Sequence, residues 1–190
     1  LNVPSVWLLN QCGIEPFLQQ LRVAGLHTLD QDALHYGLGL SLGDGDVRLI
    51  DLVNAYRGLA HNGRSSPWQV IMGSGTDHDS LTDQNSSRFM SARAAQAILQ
   101  VLSNRTLRAP SFGKESALNL PFPAAVKTGT SQGYSNAWTI GLSSEIAVGV
   151  WVLPHTGAKL SGAMIAAPLW QELMLYFHRS KSTKAFRTDA

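Results

Sequence analysis

The chain has 190 residues, a formal net charge of +2, and 44% hydrophobic against 15% charged residues. That length supports one sizeable core, and that balance excludes a disordered polymer. A single cysteine, Cys12, excludes an internal disulfide and a thiolate metal site, and no apolar run reaches the about 18 residues of a membrane helix.

The six histidines show no pair at ligand spacing, so no metal or cofactor is expected. The chain does not begin with Met, and its true start is expected upstream. Pro4 suits the opening of a helix over 3–12 that Gly13 ends, and Pro16 and Gly25 frame a second over 15–24. Tyr36 to Gly43 is apolar and glycine-rich without helical period, and its glycines miss phosphate-loop spacing. Asp44-Gly45-Asp46 lacks the further ligands of a calcium loop.

Leu49, Leu52, Val53, Tyr56 and Ala60 recur at three and four residues, which predicts a helix over 47–61 with one buried face. Asp44 or Asp46 is expected to cap it, and Asn62-Gly63 to end it. Residues 67–90 read as polar and broken, with a short strand from Trp68 to Met72. Ser91 caps a helix to about Ser103, with Ala94, Ala97, Ile98, Val101 and Leu102 expected inside; 104–120 reads as irregular. Strands follow over 123–130, 137–143 and 145–153, the last two joined as a hairpin at Ser143-Ser144. Ala163 to His178 reads as an amphipathic helix with Leu169, Trp170, Leu173, Met174 and Phe177 on its apolar side. The fold class is α+β, an antiparallel sheet packed with helices. The basic stretch Arg179 to Arg187 weighs towards a solvated end over a nucleic-acid or lipid contact.

Chemistry concentrates at Lys127-Thr128-Gly129-Thr130-Ser131. A cation, a glycine and three hydroxyls stand at the end of a buried strand, which suits a groove that receives a carboxylate and an oxyanion. On this strand, with the aromatic hairpin after it, the sequence resembles the third motif of penicillin-binding proteins and serine β-lactamases. Asn2-Val3-Pro4-Ser5-Val6 resembles the continuation of that family's Ser-x-Asn motif, with the serine just before Leu1. Tyr36 to Gly43, Leu52 to Tyr56 and Leu59 to Arg64 resemble the class A segment between these motifs. Ala109 to Gly113, Leu120 to Ser131 and Ala166 to Trp170 are similar to the 1C type. The resemblance covers about residues 1–178, with 179–190 as tail or linker. One departure is Asn136, where the family usually has aspartate.

The resemblance implies a partial transpeptidase fold, the C-terminal half of the domain, without the upstream Ser-x-x-Lys that carries the nucleophile. It implies a peptidoglycan D,D-transpeptidase that forms a serine acyl-enzyme with D-Ala-D-Ala stem peptides and β-lactams. The parent would carry a glycosyltransferase domain and a membrane anchor on the periplasmic side of the inner membrane. Lys127 would hold the carboxylate field and help move a proton. Thr128 and Thr130 would donate hydroxyls, and the Thr130 amide would be an oxyanion donor. Gly129 would admit the substrate backbone, Asn2 would present its amide to the acyl-side peptide, and Ser131 is a further substrate contact. Trp138 and Trp151 read as core before platform. Ser111-Phe112-Gly113-Lys114 fits Ser-x-x-Lys, but it contains glycine, follows Pro110 and comes in the wrong order. The isolated chain is expected to be inactive and poorly soluble where the missing half would pack. Two alternatives stay open: a β-lactamase or D,D-carboxypeptidase on the same fold, and a dead remnant or binding module.

Overall fold

The computed structural model describes residues 2–70, 86–131, 134–153, 161–179 and 186. Two helices open the chain, α1 (Asn2–Cys12) and α2 (Ile14–Val23), separated by Gly13 at φ 85°. A short α3 (Ala33–Tyr36) is capped by the Asp32 side chain, which accepts from the His35 amide, and runs into a 3-10 segment (Gly37–Leu42). The helix α4 (Leu49–Ala60) follows, then β1 (Arg64–Ser65) paired antiparallel with β2 (Ser87–Arg88). Next come α5 (Ala92–Ser103), α6 (Arg105–Phe112), and the sheet strands β3 (Ala125–Thr130), β4 (Ala137–Leu142) and β5 (Ala147–Val152). A π-helical turn (Gly162–Ala166) leads into α7 (Ala167–Phe177).

The sheet order is β3-β4-β5, all antiparallel, so β3 is an edge strand among the described residues. Register assigns its two faces. Val126, Gly141 and Val148 lie opposite one another, and so do Thr130, Ala137 and Val152 four residues on. This face packs on α7, where Trp170 and Met174 are fully buried with Val126, Val148 and Val150. Gly141 is required there: a Cβ would strike the Trp170 ring and lie 2.7 Å from the Ala125 carbonyl oxygen. The other face carries Ala125, Leu142 and Ala147 and packs on Ala95 and Leu99 of α5 and Leu59 of α4. The result is a sheet between two helical layers, an α+β arrangement. A third cluster, Leu9, Leu18, Leu26, Leu29 and Leu40, joins the N-terminal helices to Leu52 and Ala55 of α4.

Several local expectations give way to packing. Arg48, and neither Asp44 nor Asp46, stands at the start of α4, and it makes no side-chain cap. Asp51 in the first turn takes the Arg48 guanidinium instead, Nε to Oδ2 at 2.6 Å. The helix also buries Asp51, Asn54 and Gly58, because it bridges two core clusters and touches the sheet, so one apolar stripe does not describe it. In α5 the cap is Ser91 as expected, its side chain accepting from the Ala94 amide. The buried pair is Ala95 and Leu99, while Ala94, Ala97, Ile98 and Val101 are exposed. Arg93, Gln96, Gln100 and Ser103 mark one polar stripe, but the apolar side is wider than one contact face, so the partner surface chose which part of it is buried. The stretch 104–120 is not wholly irregular: Asn104 caps α6 by accepting from the Leu107 amide, and Pro110 sits inside this short helix. Trp68 to Val70 form no strand, and 71–72 lie outside the described residues. On α7, Trp170 and Met174 are buried, but Leu169, Leu173 and Phe177 are exposed.

Candidate active site

Strand β3 presents Lys127, Thr128, Gly129 and Thr130 in sequence, and Ser131 follows at its end. Pleating divides them. Lys127 and Gly129 share a face with Ile140 and Trp138, whereas Thr128 and Thr130 share the α7 face with Thr139 and Ala137. The Lys127 ammonium donates to the Thr128 carbonyl oxygen at 2.5 Å. Desolvation by the surrounding protein lowers its pKa from the ordinary lysine value, although the residue keeps an open side to solvent.

A second network fixes the threonine. The Gly162 amide donates to Thr130 Oγ1 at 3.1 Å, and Thr139 Oγ1 donates to the Gly162 carbonyl oxygen at 3.1 Å. Thr139 is fully buried, so the tie is protected from water. Only glycine fits at 162, because a Cβ would meet the Gly129 and Trp138 carbonyl oxygens. Neither Thr139 nor Gly162 stood out in the sequence; no local pattern marks two residues 23 apart as partners.

Beyond the strand, the Ser131 amide donates to the Asn136 carbonyl oxygen at 3.0 Å, closing the turn. The Asn136 side chain joins Ser131, Ser135 and Trp151. Trp138 and Trp151 are cross-strand partners, stacked with ring centroids 5.1 Å apart and planes at 19°. Trp151 is 44% exposed, so the pair reaches the surface and is not sealed in the core. Gly129 lies opposite Trp138 in register, and its missing side chain leaves the strand backbone open beside the stack.

Asn2 is exposed at the first turn of α1, and its side chain has no hydrogen-bond partner among the described residues. Its helix buries Leu9 in the N-terminal cluster, apart from the clusters that hold β3. Ser111 lies in the last turn of α6, and Gly113 at φ 79° turns the chain before Lys114, so the two do not share a helical face. Among the described residues no group of three His, Cys, Asp or Glu is placed to hold a metal ion, and no helix is long and apolar enough to cross a membrane.

No protein-family model matches the chain. It is 30% identical over 162 residues to penicillin-binding protein 1C of Escherichia coli, covering 85% of this chain and 20% of that protein. Among solved structures, penicillin-binding protein 1A of Haemophilus influenzae superposes with a TM-score of 0.73 at 17% identity, covering 98% of this chain and 34% of that one. The imipenem acyl-enzyme complex of penicillin-binding protein A from Mycobacterium tuberculosis superposes at 0.60 and 19% identity, covering 89% of this chain and 44% of that one. The fold is therefore that of a penicillin-binding protein transpeptidase region, in part. In sequence and fold the chain matches the transpeptidase region of class A penicillin-binding proteins. It spans between a fifth and a quarter of the length of the curated relatives it matches.

Proposed function

We propose that this chain forms the carboxylate-binding wall of a serine-type D,D-transpeptidase of the 1C type. The supporting observation is the edge strand β3, where Lys127, Thr128, Gly129 and Thr130 stand in sequence with a desolvated ammonium and a Thr130 hydroxyl already tied at its oxygen. Lys127 supplies positive potential for the terminal carboxylate of a D-Ala-D-Ala stem peptide or a β-lactam, and desolvation, which lowers its pKa, eases the release of its proton. Thr130 accepts from Gly162, so its own proton is left to donate to that carboxylate. Gly129 lets the ligand backbone approach. Thr128 and Ser131 widen the row of hydroxyls, and Asn2 provides an amide for the acyl-side peptide. The Thr130 backbone N–H is one of the two oxyanion donors.

The nucleophilic serine and its lysine come from residues outside these 190, since the one Ser-x-x-Lys here is split by Gly113. With them the serine hydroxyl attacks the penultimate D-Ala carbonyl, the serine proton passes to the leaving D-Ala amine, and an acceptor amine later takes the acyl group. The partners are peptidoglycan stem peptides, β-lactams and the other half of the same domain. The working place is the periplasmic face of the inner membrane, reached through an anchor elsewhere in the parent protein, which also bears a glycosyltransferase domain.

The test is labelling with a fluorescent penicillin. The native protein should form a stoichiometric adduct that maps to a serine outside residues 1–190, and the isolated chain should form none. An adduct on Ser111, or no adduct on the native protein, overturns the reading.

A further inference from the structure

Asn136 uses its side-chain amide on both sides. Oδ1 accepts the Trp151 indole N–H at 2.8 Å, and Nδ2 donates to Ser131 Oγ at 3.3 Å and to Ser135 Oγ at 3.2 Å. The orientation of the amide is not arbitrary: an indole N–H can only donate, so the oxygen must face Trp151 and the nitrogen must face the serines. Trp151 is itself held by its stack on Trp138. The amide is thus anchored to the sheet at one end and delivers hydrogens to the hydroxyls at the other.

That direction has a chemical consequence. Nδ2 can only give hydrogens, so the serine oxygens serve it as acceptors and their protons point elsewhere. The two hydroxyls are 2.9 Å apart and either can be the donor. Where Ser135 is the donor of that pair, the Ser131 proton is left for another acceptor at the end of β3. A carboxylate at 136 would still accept from Trp151, but it would take the serine protons for itself.

We propose that Asn136 is a positioning residue that turns the Ser131 hydroxyl into a donor for the carboxylate of a ligand bound along β3. The inference rests on the site reading given above and adds to it the residue that sets hydroxyl polarity. The family's usual aspartate cannot act in this way while ionised.

The experiment follows penicillin acylation of the native protein, resolved into the dissociation constant of the first complex and the rate of the covalent step. Asn136→Asp should raise the dissociation constant roughly tenfold, the scale of one hydrogen bond to a charged group, with the covalent rate changed less than about twofold. Ser131→Ala, which leaves Asn136 on Trp151, should show a similar loss. In the Ser131→Ala background, Asn136→Asp should add less than about threefold, because the two act through one contact. With the ligand carboxylate methyl-esterified, wild type and Asn136→Asp should bind alike. If Asn136→Asp leaves binding unchanged while wild type is acylated, the inference fails alone. It also fails alone if the aspartate penalty persists in full without Ser131 or with the ester, which would mark plain charge repulsion or loss of structure. Absence of any wild-type acylation overturns the site reading, and this inference with it.

Discussion

Thr130 and Thr139 face the same backbone group from adjacent strands: Gly162 gives its amide proton to Thr130 and accepts the hydroxyl of Thr139, each at 3.1 Å. One glycine thus locks the end of the motif strand to the turn that begins the closing helix. The contact is specific to glycine, because a methyl group there would lie 2.6 Å from the Trp138 carbonyl oxygen. Gly162→Ala should destabilise the protein by about 1–3 kcal/mol through overpacking, and release Thr130 at the same time. Urea unfolding measures the first effect, and penicillin labelling of the folded variant measures the second. A variant with unchanged midpoint would show that the turn yields freely.

Trp170 is fully buried under Gly141, yet its indole N–H has no partner among the described residues. Packing and polarity therefore oppose one another at this site. Trp170→Ala should cost about 3–5 kcal/mol for the cavity it opens. Trp170→Phe should cost less than half of that, since it keeps most of the ring and removes an unpaired donor worth about 1–3 kcal/mol of penalty. Equal losses for the two variants would mean that the indole N–H finds a partner in solution.

Asp51 is 3% exposed and receives Arg48 and the Trp68 indole N–H, the latter at 3.1 Å. Burial pushes its pKa up, but the hydrogen bonds from Arg48 and Trp68, with the Arg48 charge, outweigh burial and hold it below the ordinary 3.8. A depressed carboxylate pKa stabilises the fold above the unfolded value and loses that contribution as pH falls through the folded value. Asp51→Asn should therefore cost about 1–3 kcal/mol near pH 7, and the gap to wild type should close as pH falls from the ordinary 3.8 through the lower folded value. Urea midpoints across pH check this; a gap that stays constant into acid would remove the charge from the explanation.

Lys127 gives a slope of the same sign in an alkaline window. Its pKa is lowered by desolvation, so the unfolded chain binds the proton more tightly than the folded one. Folding then becomes more favourable as pH rises from the folded pKa towards the ordinary 10.5. Wild type should gain on Lys127→Met across that alkaline window, while penicillin labelling of the native protein should fall at least about tenfold in the variant for want of the cation. A wild type that loses ground to the variant as pH rises would contradict the desolvation.

Much of the candidate site was legible because its residues are neighbours in sequence. Lys127 to Ser131 lie on one strand end, and alternation with the following aromatic hairpin was enough to place them on β3. Helix α5 was legible at its cap, Ser91, for the same local reason. Its buried face was not, since Ala94, Ala95, Ile98 and Leu99 offer a broad apolar side and only the sheet and α4 select Ala95 and Leu99 within it.

What the chain determined by itself was most of its helices, its antiparallel hairpin and the strand that carries its candidate site, all set by spacing within a few residues. The tertiary structure decided which sides of α4, α5 and α7 are buried, that Gly162 ties Thr130 to Thr139, and that Asn136 joins Ser131 to the Trp138–Trp151 stack. Those ties run between residues up to 32 positions apart. Their partners are chosen by the packing of whole layers, where close fit and the pairing of buried polar groups outweigh any local preference.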